Sequence, residues 1–224
     1  GGYAEYAVTD WGRVMRIPAN NMTFPQAATL PVALTTMHNA VVTAGRLKAG
    51  ESVLVQGASS GVGLMALQIA KLKGAGLVIG TSTNADRRAR LKEFGADLAV
   101  DSRNAGWADE VLKATGGKGV DLIVDQLSGY VANDNLKATA VCGRIVNVGR
   151  MGGFKGEFDF DLHALRRIHA HRGRHAQQRQ QRQQHHRPAG AGPGRQAADH
   201  QAQQRQREGR QRRGALARSA DQRT

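Results

Sequence analysis

The chain has 224 residues, a formal net charge of +14 and an aromatic content of only 4%. Its single cysteine, Cys142, excludes a disulfide framework and a Cys-rich zinc module within the chain, and no apolar run is long enough to cross a membrane. The charge is unevenly spread: residues 1–168 carry 19 Lys/Arg against 15 Asp/Glu, whereas residues 169–224 carry 13 Arg, no Lys and three acids, so the whole-chain figure does not by itself make a nucleic-acid binder.

Residues 3–17 alternate loosely around Asp10-Trp11-Gly12, which predicts two short strands and a turn, closed by Pro18. Thr23-Phe24-Pro25-Gln26 starts a helix, with Thr23 or Phe24 at the cap and Pro25 in the first turn. Pro31 is expected to interrupt it, and a second helical stretch over about 33–44 ends at Gly45. From residue 50 the pattern becomes strand, glycine loop, helix. Strands are expected at 52–56, 77–80, 98–100, 120–124 and 144–148, with helices from 64 to Gly74 and at 86–94, 108–114 and 131–138. Such alternation implies an α/β fold, a doubly wound parallel sheet with helices on both faces.

Residues 169–224 break the pattern. They hold 13 Gln, 13 Arg, 10 Ala and six His, and Leu216 is their only large apolar residue. Such a segment buries too little surface to offset its ordering entropy, so it is expected to be disordered from His169 onward. Nucleic-acid binding through this basic tail stays open as an alternative, although it lacks Lys, aromatics and any RNA-binding motif. His185-His186 gives no support for metal beyond scattered polar coil.

The chemistry lies in the strand–loop–helix unit at 52–73. A phosphate needs hydrogen-bond donors and room, and main-chain N–H groups at a helix N-terminus supply both. The G-x-G-x-x-G fingerprint of dinucleotide-binding folds, laid on this loop, falls on Ala58, Ser60 and Gly63, with Gly57 and Gly61 beside them. The bland reading is a turn that merely lets helix and strand pack closely. At the end of the second strand, where an acid commonly holds an NAD ribose, stands Ser82, followed by Thr83, Arg87 and Arg88. Hydroxyls with a guanidinium suit a 2′-phosphate, so NADPH is expected in preference to NADH. The alternative is that Arg87 and Arg88 only solvate the first turn of a helix, with Asp86 nearby as a cap.

Three runs together carry a resemblance: Leu30 to Ala40, Leu47 to Val55, and Gly57-Ala58-Ser59-Ser60-Gly61-Val62-Gly63. They closely resemble the medium-chain dehydrogenase/reductase superfamily, best its quinone oxidoreductase-like branch. Lys92-Glu93-Phe94-Gly95-Ala96-Asp97, Gly119-Val120-Asp121, Gly143 to Gly149 and Phe158 to Ile168 continue the match. The resemblance implies a GroES-like β domain around a Rossmann domain. Residues 1–30 would be a remnant of the β domain, 31–168 an incomplete Rossmann domain, and 169–224 a disordered tail of out-of-frame composition. On that view the chain is truncated at its start, loses the resemblance after Ile168, and has impaired turnover.

The resemblance also implies residue roles. The Ser60, Gly61 and Val62 main chain would face the pyrophosphate, with Ser59 beside it. Ser82, Thr83 and Arg87 would flank the 2′-phosphate, and Ser102 would pack the adenine. Gln126 and Leu127 would border the ribose. Val148, Gly149, Arg150 and Thr36 would lie beside the nicotinamide, although a threonine inside a helix often only bonds back to its own main chain. The implied reaction is NADPH-dependent reduction of a quinone or other conjugated carbonyl, in a cytoplasmic protein that pairs as a homodimer. No catalytic acid can be named. Cofactor binding without turnover is the alternative. No zinc is expected, because residues 27–33 hold no cysteine. His38 reads as a helix-face residue and Cys142 as a small buried one.

Overall fold

The computed structural model describes residues 4–10, 14, 16, 17 and 22–172. Six strands form one parallel sheet: β1 Ser52–Val55, β2 Leu77–Thr81, β3 Leu98–Val100, β4 Val120–Asp125, β5 Thr139–Asn147 and β6 His169–Arg172. They lie in the order β3-β2-β1-β4-β5-β6. The chain thus starts at the middle of the sheet, winds to one edge, returns, and winds to the other. That is the doubly wound order expected of repeated β-α-β units, with a switch point between β1 and β4.

The strand sequences explain the layering. Val53 and Val55 point to one face, while Leu54 points to the other, and all three are fully buried. A sheet covered on both faces needs such unbroken apolar runs. On the first face Val53, Val55, Val78, Leu122 and Val146 pack with Met37, Ala40, Val41, Ala66, Leu67 and Ala70. These last six come from α1 (Phe24–His38) with its π-helical continuation Asn39–Ala44, and from α2 (Gly61–Leu72). On the second face Leu54, Ile79, Ile123 and Ile145 meet Trp107, Ala108 and Val111 of α4 (Trp107–Ala114) and Leu136 of α5 (Ala132–Ala138).

Several expectations shift. Thr23 caps α1 in a reciprocal capping box with Gln26, but Pro31 lies inside the helix and does not end it. A proline there removes only one main-chain bond, and the helix is also held by packing against α2. The charged stretch after β2 is α3 (Ala85–Ala89) running into a 3₁₀ turn, Arg90–Phe94, stopped by left-handed Gly95. Residues 4–10, 14, 16 and 17 form none of the strand expected over 3–17, and Tyr6 and Val8 stand exposed. Extended chain becomes a strand only where a partner takes its N–H and C=O groups.

β5 begins at Thr139, five residues early, because the chain shifts register between Val120 and Leu122. Cys142 sits at this irregularity with φ 61° and is exposed, not buried. The expected boundary at Ile168/His169 is also one strand too early. Ile168 is buried on the second face, which draws the chain along β5, and His169–Arg172 pair in parallel with Arg144–Asn147. The ladder uses main-chain groups, so polar side chains do not prevent it. The rest of the tail, residues 173–224, lies outside the described residues.

One ion pair fastens the bottom of this arrangement. Arg144 on β5 donates to both carboxylate oxygens of Glu51 and, through Nε, to the Gly45 carbonyl at 2.6 Å. The two side chains are only 13% and 19% exposed. Glu51→Ala leaves the guanidinium without a counter-charge and should destabilise the fold by about 3 kcal/mol. Urea unfolding of wild type and variant measures this, and a change below about 0.5 kcal/mol would show the pair to be incidental.

Candidate functional site

The carboxyl ends of the strands open onto a cleft of about 710 Å³. Its floor is the loop between β1 and α2. Ser60 caps α2: its Oγ accepts from Gly63 N at 3.1 Å, donates to Gly57 O at 2.9 Å and lies 3.1 Å from Gln126 Oε1. The first turn of α2 is tight against the loop that precedes it, since a Cβ on Gly63 would lie 2.7 Å from the Ala58 Cα and carbonyl oxygen. A Cβ on Gly61 would meet nothing within 4 Å. The helix N-terminus therefore carries bare N–H groups next to open space, which is the arrangement an anion needs.

Beneath the loop lies a buried polar chain. Gly57 N donates to Thr81 Oγ1, the Thr81 hydroxyl donates to Gln56 Oε1 at 2.8 Å, and Gln56 Nε2 donates to Asn135 Oδ1 at 2.7 Å. Gln126 Nε2 donates to the Gln56 carbonyl at 3.0 Å. All four side chains are buried. Side chains from β2, α5 and the residues that follow β1 and β4 thus fix one glycine loop.

At one end of the cleft Ser82 follows β2 and donates to Ser59 Oγ at 2.9 Å. Asn84, not Asp86, caps α3 by accepting from Arg87 N. The two adjacent arginines part company. Arg88 donates to the Ser82 carbonyl at 2.8 Å and pairs with Asp101 at 3.1 Å. Arg87 lines the cleft, and its guanidinium has no partner among the described residues.

Of the residues expected at the site, Ser59, Ser60, Ser82, Thr83, Arg87, Ser102 and Leu127 line this cleft together. Gly61 and Val62 form the first turn of α2, with Val62 packed on the core. Gln126 is buried and turned toward the loop, as described above. Val148 and Gly149 donate to the Asp125 carbonyl, and Arg150 is exposed with its guanidinium 5.5 Å from the centre of the Phe154 ring. Thr36 lies on α1, half-buried, and is not among the residues lining the cleft.

Residues outside the expectation also line it, among them Arg103, Asn104, Trp107, Tyr130, Met151 and Gly152. Tyr130 Oη lies 3.3 Å from the Oγ of Ser102, just past the end of β3. Their positions just after β3, β4 and β5 were the available signal, because ligands of such sheets bind beyond the carboxyl ends. At the end of β4, Asp125 is 2% exposed, and burial pushes its carboxyl above the usual range against the hydrogen bonds from Ser128, Leu127 and Asn147 that favour the charge.

Among the described residues no three His, Cys, Asp or Glu side chains lie together as metal ligands would. The described residues alone therefore offer no donor set for zinc. No described helix is long and apolar enough to cross a membrane.

A family model for zinc-binding dehydrogenases matches residues 61–182, so the family likeness runs past Ile168, where it was expected to stop. The chain is 35% identical over 152 residues to a quinone oxidoreductase of Homo sapiens, covering 68% of this chain and 46% of that protein. Among solved structures it is similar to the quinone oxidoreductase of Pseudomonas syringae pv. Tomato DC3000, with a TM-score of 0.62 and 29% identity over 69% of this chain and 47% of the other. It is also similar to the JamJ enoyl reductase, with a TM-score of 0.60 and 30% identity over 68% and 45% of the two chains. The chain therefore spans just under half the length of these relatives. With the sheet order, the capped glycine loop and these matches in agreement, the chain belongs to the zinc-binding dehydrogenase family, as a quinone oxidoreductase-like medium-chain dehydrogenase/reductase.

Proposed function

We propose that the cleft binds NADPH in preference to NADH, and that the activity it serves is reduction of a quinone or other conjugated carbonyl. The observation that carries the cofactor reading is Arg87, a guanidinium without a partner among the described residues, on the cleft beside Ser82 and Thr83. A carboxylate at the Ser82 position would repel a 2′-phosphate; hydroxyls and a guanidinium attract it. The bare N–H groups at the start of α2 suit the pyrophosphate, and the opposite end of the cleft, walled by Leu127, Met151 and Gly152, leaves room for the nicotinamide. When bound, the nicotinamide supplies hydride-transfer chemistry, and the protein supplies position and electrostatics. The substrate class follows the relatives, a quinone oxidoreductase and an enoyl reductase by name.

Trp107 lines the cleft and gives a direct probe. The full chain is titrated with NADPH and NADH, following tryptophan fluorescence, and then assayed with a simple quinone by loss of NADPH absorbance. Tighter binding of NADPH than NADH is the expected result. Equal affinity for the two would overturn the NADPH reading. Binding without quinone turnover would leave cofactor binding standing and remove the proposed reaction from this chain.

A further inference from the structure

The loops after β4 and β5 are joined through one side chain. Asp125, the last residue of β4, accepts Leu127 N at 2.8 Å and Ser128 N at 2.9 Å on Oδ1. Its Oδ2 accepts from Nδ2 of Asn147, the last residue of β5, at 3.0 Å. Its main-chain carbonyl accepts Val148 N at 2.7 Å and Gly149 N at 3.2 Å. Ser128 is held with φ 55° and ψ −153°, a conformation L-residues rarely adopt, and its hydroxyl donates to Gly149 O at 3.0 Å. The bonds continue outward, because Met151 N donates to Gln126 O and Gly152 N to Leu127 O. Leu127, Met151 and Gly152 are the cleft wall.

A buried carboxylate is a costly way to fill this position. What it offers is acceptors only, two oxygens able to take three N–H donors at once. Leucine or alanine would take none of them.

We propose that Asp125 is a positioning residue for the nicotinamide half of the cofactor, setting the wall made by residues 126–128 and 147–149. The proposal rests on the NADPH reading above. It separates the two ends of the cleft: Arg87, Ser82 and Thr83 serve the adenine end and lie on other loops, so Asp125 should not matter there.

The test compares NADPH with 2′,5′-ADP, which carries the 2′-phosphate but no nicotinamide, on the full chain and its variants. Asp125→Ala should weaken NADPH by about tenfold or more and leave 2′,5′-ADP within about twofold. Asp125→Asn keeps an oxygen for the two amides, and the Asn147 amide can turn to meet the new Nδ2. It should stay within about threefold of wild type for both ligands. Loss of both ligands in parallel, loss of neither, or an Asn variant as damaged as the Ala variant would overturn the proposal. If Asp125→Ala does not fold, Ser128→Ala takes its place, with NADPH about threefold weaker and 2′,5′-ADP unchanged. No effect of Ser128→Ala on either ligand would then count against it. If wild type binds neither ligand, the NADPH reading fails by itself. The wall is then tested by amide exchange, which Asp125→Ala should accelerate at Leu127 and Ser128, whose amides bond to the carboxylate, but not in β1; unchanged exchange at Leu127 and Ser128 overturns it.

Discussion

Arg87→Ala should weaken NADPH binding by about 1–3 kcal/mol, roughly 5- to 150-fold, and leave NADH within about twofold. The asymmetry comes from the partners of the two arginines. Arg88 is engaged by Asp101 and the Ser82 carbonyl, so it has a structural task and little freedom to follow a ligand. Arg87 has no such tie among the described residues and borders the cleft. Arg88→Ala should therefore act mainly on stability, by leaving the Asp101 carboxylate, which is 15% exposed, without its cation. Affinities for both cofactors, set beside unfolding curves for both variants, distinguish the two roles. A similar loss for NADPH and NADH in Arg87→Ala would show that the guanidinium does not read the 2′-phosphate.

Two glycines two residues apart should respond to the same substitution in opposite ways. Gly63→Ala forces a Cβ to 2.7 Å from main-chain atoms of Ala58, and neither the helix turn nor the loop, whose Gly57 and Ala58 amides are bonded to Thr81, can yield cheaply. It should destabilise the chain by about 1–3 kcal/mol. Gly61→Ala meets nothing within 4 Å, so stability should change by no more than about 0.5 kcal/mol. Its methyl group instead projects where the pyrophosphate would approach the N–H groups of α2, and NADPH affinity should fall on the order of tenfold, about 1.4 kcal/mol. Thermal unfolding with and without NADPH gives both readings from one set of samples. A stable Gly61→Ala that binds NADPH as well as wild type would place the phosphates elsewhere.

Most of the sheet was legible because its strands are buried on both faces and read as short apolar runs, such as Val53-Leu54-Val55 and Leu122-Ile123-Val124. That the glycine loop and Ser82 border the cleft was legible because both follow the carboxyl ends of parallel strands at a fixed offset. Three kinds of feature were not. The strand His169–Arg172 has no apolar pattern, since main-chain pairing with β5 and the anchor at Ile168 determine it. Pro31 was read by local propensity, which the packing of α1 on α2 overrides. Tyr130, Trp107 and Arg103 were marked only by their place after β3 and β4, and their residue types add nothing to it. Gln126, which the resemblance puts beside the ribose, is buried and its side chain bonds inward to the loop.

The buried chain Gly57–Thr81–Gln56–Asn135 has a consequence for how this sequence can change. Thr81 and Gln56 each serve a neighbour on either side, so an apolar replacement at one takes a hydrogen bond from both neighbours. A second replacement next to it removes a group that has already lost its bond, and so does less harm than it would alone. Three positions, one just after β1 and the others in β2 and α5, far apart in sequence, are therefore coupled: a substitution at any of them is best tolerated when the other two can accept it at the same time.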